Sequence, residues 1–296
     1  MRIATIQMKI TSSIKENFNR MKKFIENTSN QNIDVIVFPE CSLTGYLGIT
    51  ILNLDILDMK EIEEYINEIC LLAKHNNIAI VTGQYIKRCG LWYNNLMFIS
   101  KNGEIIENFD KNHLVDEDCF HVTPGIAPEI FEYGGFNVFL GVCHDIRYAE
   151  HAMYGAVSGA DIYINPLYGL RSPKDSKKVQ EKYNSIIRTR AIDNGIYVIC
   201  PNVANVEQMA RSQVVDPVGD ILCMAKSYNE EVLICDIEKN KCGKGWIKRR
   251  RKDLYVFNSV ENQKSYFEEK YRKKEYYNIN HDRKLLNYND IKLLDI

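Results

Sequence analysis

No apolar run in this sequence approaches the roughly 18 residues that a membrane-spanning helix needs, and none of its 9 cysteines pairs in C-x-x-C spacing. The first absence argues against a membrane protein. The second removes the common redox and zinc signatures, and the odd cysteine count argues against a disulfide framework. An excess of charge is also missing. Lys and Arg number 38 against 39 Asp and Glu, a formal net charge of −1. No global field therefore favours nucleic acid or an anionic membrane surface. The opening MRIATIQMKI has a strand pattern and lacks the long apolar core of a secretory signal. With free thiols and no export signal, a reduced, cytoplasmic protein is expected. Neither G-x-G-x-x-G nor a Walker loop is present, so no nucleotide site is expected. Linkers and internal repeats are absent too.

What is present is the pattern of a layered α/β protein. The 296 residues, 45% hydrophobic and 26% charged, suffice for one large domain or two small ones. Continuous apolar runs such as IDVIVFP at 33–39 and IAIVTGQY at 78–85 read as strands covered on both faces. Helical spacing appears at 17–28, 62–75, 146–158 and 179–194. Further strands are expected at 2–7, 92–100, 105–109, 136–142, 161–166, 197–202, 213–216, 220–225 and 231–237. Residues 111–125 read as one long polar loop. Alternation of the two periods argues for helices on a central sheet or sheets. One domain is expected over 1–258, with a charged, tyrosine-rich extension over 259–296 that either wraps a partner subunit or stays free.

Three chemistry-bearing residues follow three predicted strands. Glu40 follows IDVIVFP, Lys111 follows IIENFD and Cys143 follows FNVFLGV. In α/β sheets the carboxyl ends of strands are where ligands bind. Taken singly, the glutamate and lysine are ordinary solvated residues and the cysteine a small buried one. Together they are a base, a cation and a nucleophile. A helix beginning within a few residues of Cys143 would bias its thiol toward thiolate.

The segments around these residues resemble a known family. VIVFPE with LTGY at 35–46, FDKNHL at 109–114 and GVCHDIRYAE at 141–150 are similar to the three signature segments of the nitrilase superfamily of carbon–nitrogen hydrolases, in its amidase-like branch. WYNN at 92–95, RAIDN at 190–194, SQVVDPVGDIL at 212–222 and RRRKDLY at 249–255 resemble lesser motifs of the same family, in order. The resemblance implies a four-layer α-β-β-α sandwich and a Glu40–Lys111–Cys143 site. Cys143 would attack an amide carbonyl to form a thioester. Glu40 would move the protons. Lys111 and the backbone N–H of His144, at the head of the following helix, would hold the oxyanion.

The family also carries a second acidic residue after the lysine. Here the loop reads VDEDCFHVTPG. Glu117 is favoured on residue type and Asp118 on spacing to Pro124. A glutamate two residues after the cysteine marks nitrile-specific members, and Asp145 stands there instead. The resemblance therefore implies a small linear amide or N-carbamoyl amine as substrate, with release of ammonia. Arg147 is a candidate for a substrate carboxylate, or else pairs with Asp145, Glu150 or a carbonyl. Tyr46, Tyr168, Arg171 and Asn202 are candidates for the pocket wall. No cofactor is implied. His144 and His151, seven residues apart, lack further ligands at sensible spacing, so no metal is expected. The basic run at 248–252 reads as a solvated or interface-pairing face. Members of the family commonly form homodimers or larger homo-oligomers through the two helices after the cysteine. Two other readings are a catalytically silent binding module and a glutaminase feeding a partner, the latter disfavoured by the missing nucleotide domain.

Overall fold

The computed structural model describes residues 1–115, 117–126, 128–170, 173–243 and Arg250, and the side chains of all of these but 173–177. The chain runs β1 (Arg2–Gln7), α1 (Ile14–Thr28), β2 (Val35–Val37), α2 (Met59–Asn76), β3 (Ala79–Arg88), β4 (Leu91–Ile99) and β5 (Ile105–Asp110). A short α3 (Asp118–His121) leads to β6 (Ile130–Tyr133), β7 (Phe136–Leu140), α4 (Ala149–Val157), β8 (Ile162–Ile164) and α5 (Pro173–Asn194). β9 (Tyr197–Cys200), β10 (Gln213–Val215), β11 (Ile221–Met224) and β12 (Glu231–Asp236) close the described chain.

Two 6-stranded sheets result, ordered β12-β1-β2-β3-β4-β5 and β11-β10-β9-β8-β7-β6. In each, a parallel centre (β1-β2-β3, and β7-β8-β9) is flanked by antiparallel strands. Strand side chains alternate between faces, and here both faces are apolar. On β2, Ile36 joins Met21, Ile25, Ile62 and Ile69 in a core under α1 and α2. Its neighbours Val35 and Val37 turn the other way, into a core shared with Val138, Leu140, Ile162 and Ile164 of the second sheet. Phe139, Tyr163 and Val198 face outward again, beneath Ile146, Ala152, Ile187 and Ala191 around α4 and α5. Three stacked apolar layers between four structural layers make the α-β-β-α sandwich that the motifs implied. No helix among the described residues is long and apolar enough to cross a membrane.

Local signals account for most boundaries. Ser13 caps α1, its hydroxyl accepting from Glu16 N–H, so the helix starts earlier than its apolar stripe. Asp58 caps α2, and Asn77 ends it in the left-handed conformation. Three features differ from expectation. α3 forms inside the expected 111–125 loop, and β6 forms at Ile130–Tyr133, where no element was expected. α5 begins at Pro173, inside the expected 168–177 loop. The third difference concerns Cys143. It opens a short 3-10 turn, Cys143–Arg147, and the α-helix starts only at Ala149.

Close approach of two backbones sets one glycine position. A Cβ on Gly83 of β3 would stand 2.6 Å from the Cys41 backbone nitrogen and 3.1 Å from the Glu40 Cα. Gly83→Ala must therefore displace the segment carrying Glu40. Overpacking of this kind costs about 1–3 kcal/mol, a Tm loss of about 2–10 °C for a domain of this size. A thermal melt at wild-type Tm would show that the segment shifts without cost.

Candidate active site

The ends of β2, β5 and β7 converge, and they bring Glu40, Lys111 and Cys143 together. Glu40 and Lys111 are buried, as is Asp118. Lys111 Nζ donates to Glu40 Oε1 at 2.8 Å and to Asp118 Oδ2 at 3.0 Å. Asn94, on β4, donates its amide nitrogen to the same two oxygens, at 2.9 Å and 3.1 Å. Tyr85 of β3 donates its hydroxyl to the other oxygen of Asp118 at 2.7 Å. Glu40 Oε2 accepts from Tyr168 N–H at 2.8 Å. Glu40 and that same N–H both act on the Cys143 thiol, Glu40 raising its pKa and the N–H lowering it. One Glu40 oxygen thus accepts from Lys111 and the other from the Tyr168 N–H.

The charges follow from these contacts. Burial by itself would lower the Lys111 pKa, but Asp118 and Glu40 outweigh it and hold the ammonium well above its ordinary value. Burial pushes the Cys143 thiol well above its ordinary value, and Glu40 adds to this against the opposing pull of Lys111. The helix-mouth expectation of a thiolate is therefore corrected. No α-helix begins at Cys143, and its neighbour is an anion. His144 is pushed down to about 4 by burial, with Lys111 and Arg147 adding to the shift, so its imidazole is neutral at physiological pH.

Cys143 has φ +46°, a conformation unusual for a side-chain-bearing residue. The turn around it is tied down. Its N–H donates to Pro166 O at 2.8 Å. The buried Asn165 amide, turned to suit its neighbours, donates to Cys143 O at 3.2 Å and accepts from Cys143 N–H at 3.0 Å. Asp145, also buried, accepts from Val142 N–H at 2.9 Å, His113 N–H at 2.8 Å and His113 Nδ1 at 2.7 Å. It joins the cysteine turn to the segment just after Lys111. Its side chain serves the backbone and not the pocket. His151 is bound at both ring nitrogens, to Tyr163 Oη at 3.0 Å and Asn112 Oδ1 at 3.2 Å. Among the described residues no group of His, Cys, Asp and Glu forms a metal-binding set.

The other sequence candidates divide. Tyr46 is buried with its ring 5.5 Å from Lys111 Nζ, and it stacks on Tyr168 at 4.9 Å. Both tyrosines join the site. Glu117 does not. It is exposed, 3.8 Å from His121, and Asp118 is the carboxylate on Lys111. Adjacent residues entering a helical turn point about 100° apart, so only one of the two can face inward. Arg147 is exposed, and its guanidinium donates to Tyr183 Oη at 3.2 Å, not to Asp145 or Glu150. Asn202 is saturated by backbone groups of residues 169, 203 and 210, so it braces the wall and offers nothing to a ligand. Arg171 lies outside the described residues. Sequence reasoning missed Asn94, Tyr85 and Asn165. For Asn94 a signal existed in WYNN: two adjacent amides inside an otherwise apolar strand.

The two-sheet sandwich thus carries a buried carboxylate–ammonium pair and a half-buried thiol at its strand ends. The chain belongs to the carbon–nitrogen hydrolase family, whose pattern matches residues 2–245. It is 26% identical over 280 residues to "Omega-amidase NIT2" of Mus musculus, covering 87% of this chain and 98% of that protein. It is 27% identical over 259 residues to "Hydrolase in agr operon" of Staphylococcus aureus, covering 83% and 92%. Among solved structures, a carbon–nitrogen hydrolase from Helicobacter pylori superposes with TM-score 0.77 at 24% identity, covering 86% of this chain and 96% of that one. An amidase from Nesterenkonia sp. gives 0.75 at 20% identity, covering 86% and 95%. These structures share the nitrilase-superfamily fold seen here.

Proposed function

We propose that this protein hydrolyses a non-peptide C–N bond of a small linear amide or N-carbamoyl amine and releases ammonia through a thioester on Cys143. The observation that carries the reading is the divided Glu40 carboxylate, with Oε1 on Lys111 at 2.8 Å and Oε2 on the Tyr168 N–H at 2.8 Å, the N–H that also acts on the Cys143 thiol. Cys143 sulfur attacks the carbonyl carbon while Glu40 takes the thiol proton, because burial leaves the thiol protonated at neutral pH. The carbonyl oxygen becomes an oxyanion. Lys111 spends two of its ammonium N–H groups on Glu40 and Asp118, which leaves one to donate to that oxygen. The His144 N–H lies in the first turn of the 3-10 segment, where backbone donors have no intrahelical acceptor, and supplies the second bond. Glu40 then protonates the departing nitrogen as the C–N bond breaks. In the second half it takes a proton from water, the hydroxide adds to the thioester, and the C–S bond breaks as Glu40 returns that proton to the sulfur, restoring both the thiol and the carboxylate.

Relatives named as omega-amidases favour the amide over the carbamoyl substrate. A panel of short ω-amides and N-carbamoyl amines, read by ammonia release, tests the class; no turnover of either set would sink it. The same assay separates the two acids. Asp118→Asn weakens the hold on Lys111 and is expected to lower kcat by about 10- to 100-fold, the worth of a hydrogen bond to a charged group. Glu117→Gln, at the surface, is expected to stay within about twofold. The reverse order would return the role to Glu117.

A further inference from the structure

Asn94 is the residue around which the charged cluster closes. Its amide nitrogen donates to Glu40 Oε1 at 2.9 Å and Asp118 Oδ2 at 3.1 Å. Lys111 Nζ bridges the same two oxygens. Two carboxylate oxygens and two donors therefore form a closed ring, in which one donor is charged and the other neutral. The neutral donor is held in one orientation from behind. The buried Cys41 thiol donates to Asn94 Oδ1 at 3.6 Å, so the amide oxygen faces the thiol and the nitrogen faces the carboxylates. Cys41 reaches that place because it adopts φ +51° directly after Glu40, and Gly83 leaves room for its backbone.

Resting on the reading above, we infer that Asn94 is a positioning residue which, oriented by Cys41, pins Glu40 Oε1 beside Lys111 and so reserves Oε2 for the Cys143 proton. The physical need is clear. A carboxylate held by the lysine on one oxygen and by a single backbone N–H on the other can still rotate toward the cation and offer it both oxygens, which would draw the base away from the thiol. A second donor on Oε1 removes that freedom. It must be neutral, because a second cation would weaken Glu40 as a base. It must also reach Asp118, because the ring holds Lys111 from both sides. An asparagine amide meets these conditions.

The test does not depend on knowing the substrate. Cys143 alkylation by iodoacetamide is followed by peptide mass spectrometry across pH, with Glu40→Gln setting the rate without a base. Asn94→Leu is expected to slow alkylation by about 10- to 100-fold, toward that floor, and to lower kcat on any amide turned over with little change in KM. Asn94→Asp has the same shape and settles the matter should the leucine variant not fold. A third carboxylate in the ring traps a proton, so the acid limb of the alkylation profile is expected to move to higher pH. Cys41→Ala loses the orienting thiol and is expected to slow alkylation about 2- to 10-fold, with Cys41→Ser restoring it. Wild-type rates and pH profiles in folded Asn94 variants would overturn the inference. Failure of the amide panel with these alkylation shifts intact would overturn the substrate reading alone.

Discussion

Cys143→Ala is expected to release no ammonia from any amide or carbamoyl amine that the wild-type protein turns over, a loss of at least about 10⁴-fold, since removal of a covalent nucleophile leaves only binding and oxyanion stabilisation. The other eight cysteines cannot substitute. Cys41 and Cys200 are buried and Cys89 and Cys119 are exposed, and Cys143 is the thiol at the end of β7 on which Glu40, Lys111 and the Tyr168 N–H act. The fold should survive, because the φ of +46° is held by backbone bonds to Pro166 and Asn165 that alanine keeps. The pH dependence carries further information. Burial and Glu40 raise the thiol pKa, so the wild-type rate should already be present at neutral pH and should not climb with a thiolate titration near its ordinary value. Ammonia release at equal rates from the two proteins would remove the thiol mechanism. A rate rising tenfold per pH unit through the neutral range would remove Glu40 as the base.

Lys111→Met is expected to produce the largest combined loss of stability and activity. The ammonium is wholly buried between Glu40 and Asp118. Methionine fills the volume and leaves two buried carboxylates facing each other. Breaking a buried pair by removing one partner typically costs about 3–5 kcal/mol, and loss of an oxyanion donor costs about 10²–10³ in kcat. The direction of the pH effect is distinctive. In the wild type the Lys111 pKa is raised. Its stabilisation is therefore complete below the ordinary lysine range and is lost only as pH rises through the folded value. In the variant the unpaired carboxylates take up a proton more readily than in the unfolded chain, so Tm should rise as pH falls toward about 5. A variant melting with the wild type, with the same pH profile, would show that Lys111 is not what compensates these charges.

The sandwich was legible because both sheets are built from apolar runs broken by helical periodicity. IDVIVFP and FNVFLGV carry their strand assignment in composition alone. The strand ends then placed Glu40, Lys111 and Cys143, since ligands bind at the carboxyl ends of strands in α/β sheets; β2 and β7 are parallel strands, while Lys111 follows the antiparallel edge strand β5. β6 was not legible. IFEY is only four residues long, and its pairing with β7 comes from register. The helix-like pattern after Cys143 misled for a physical reason. Apolar spacing cannot separate a 3-10 turn from the first turn of an α-helix, and the left-handed cysteine that starts it is held by Asn165 and Pro166, which follow β8, while Asp145 of the same turn accepts from Val142 N–H.

The amino-acid sequence by itself determined the layered architecture, the family and the three residues at the strand ends, because periodicity and short motifs are local properties. The three-dimensional arrangement decided which acid serves Lys111, that burial and Glu40 raise the Cys143 thiol pKa, that Arg147 donates to Tyr183, and that Asn94 closes the charged ring. Those outcomes depend on burial and on distances between strands far apart in the chain. Glu40 and Lys111 are separated by 71 positions, and the 2.8 Å between their charged atoms exists only once the sheet has formed.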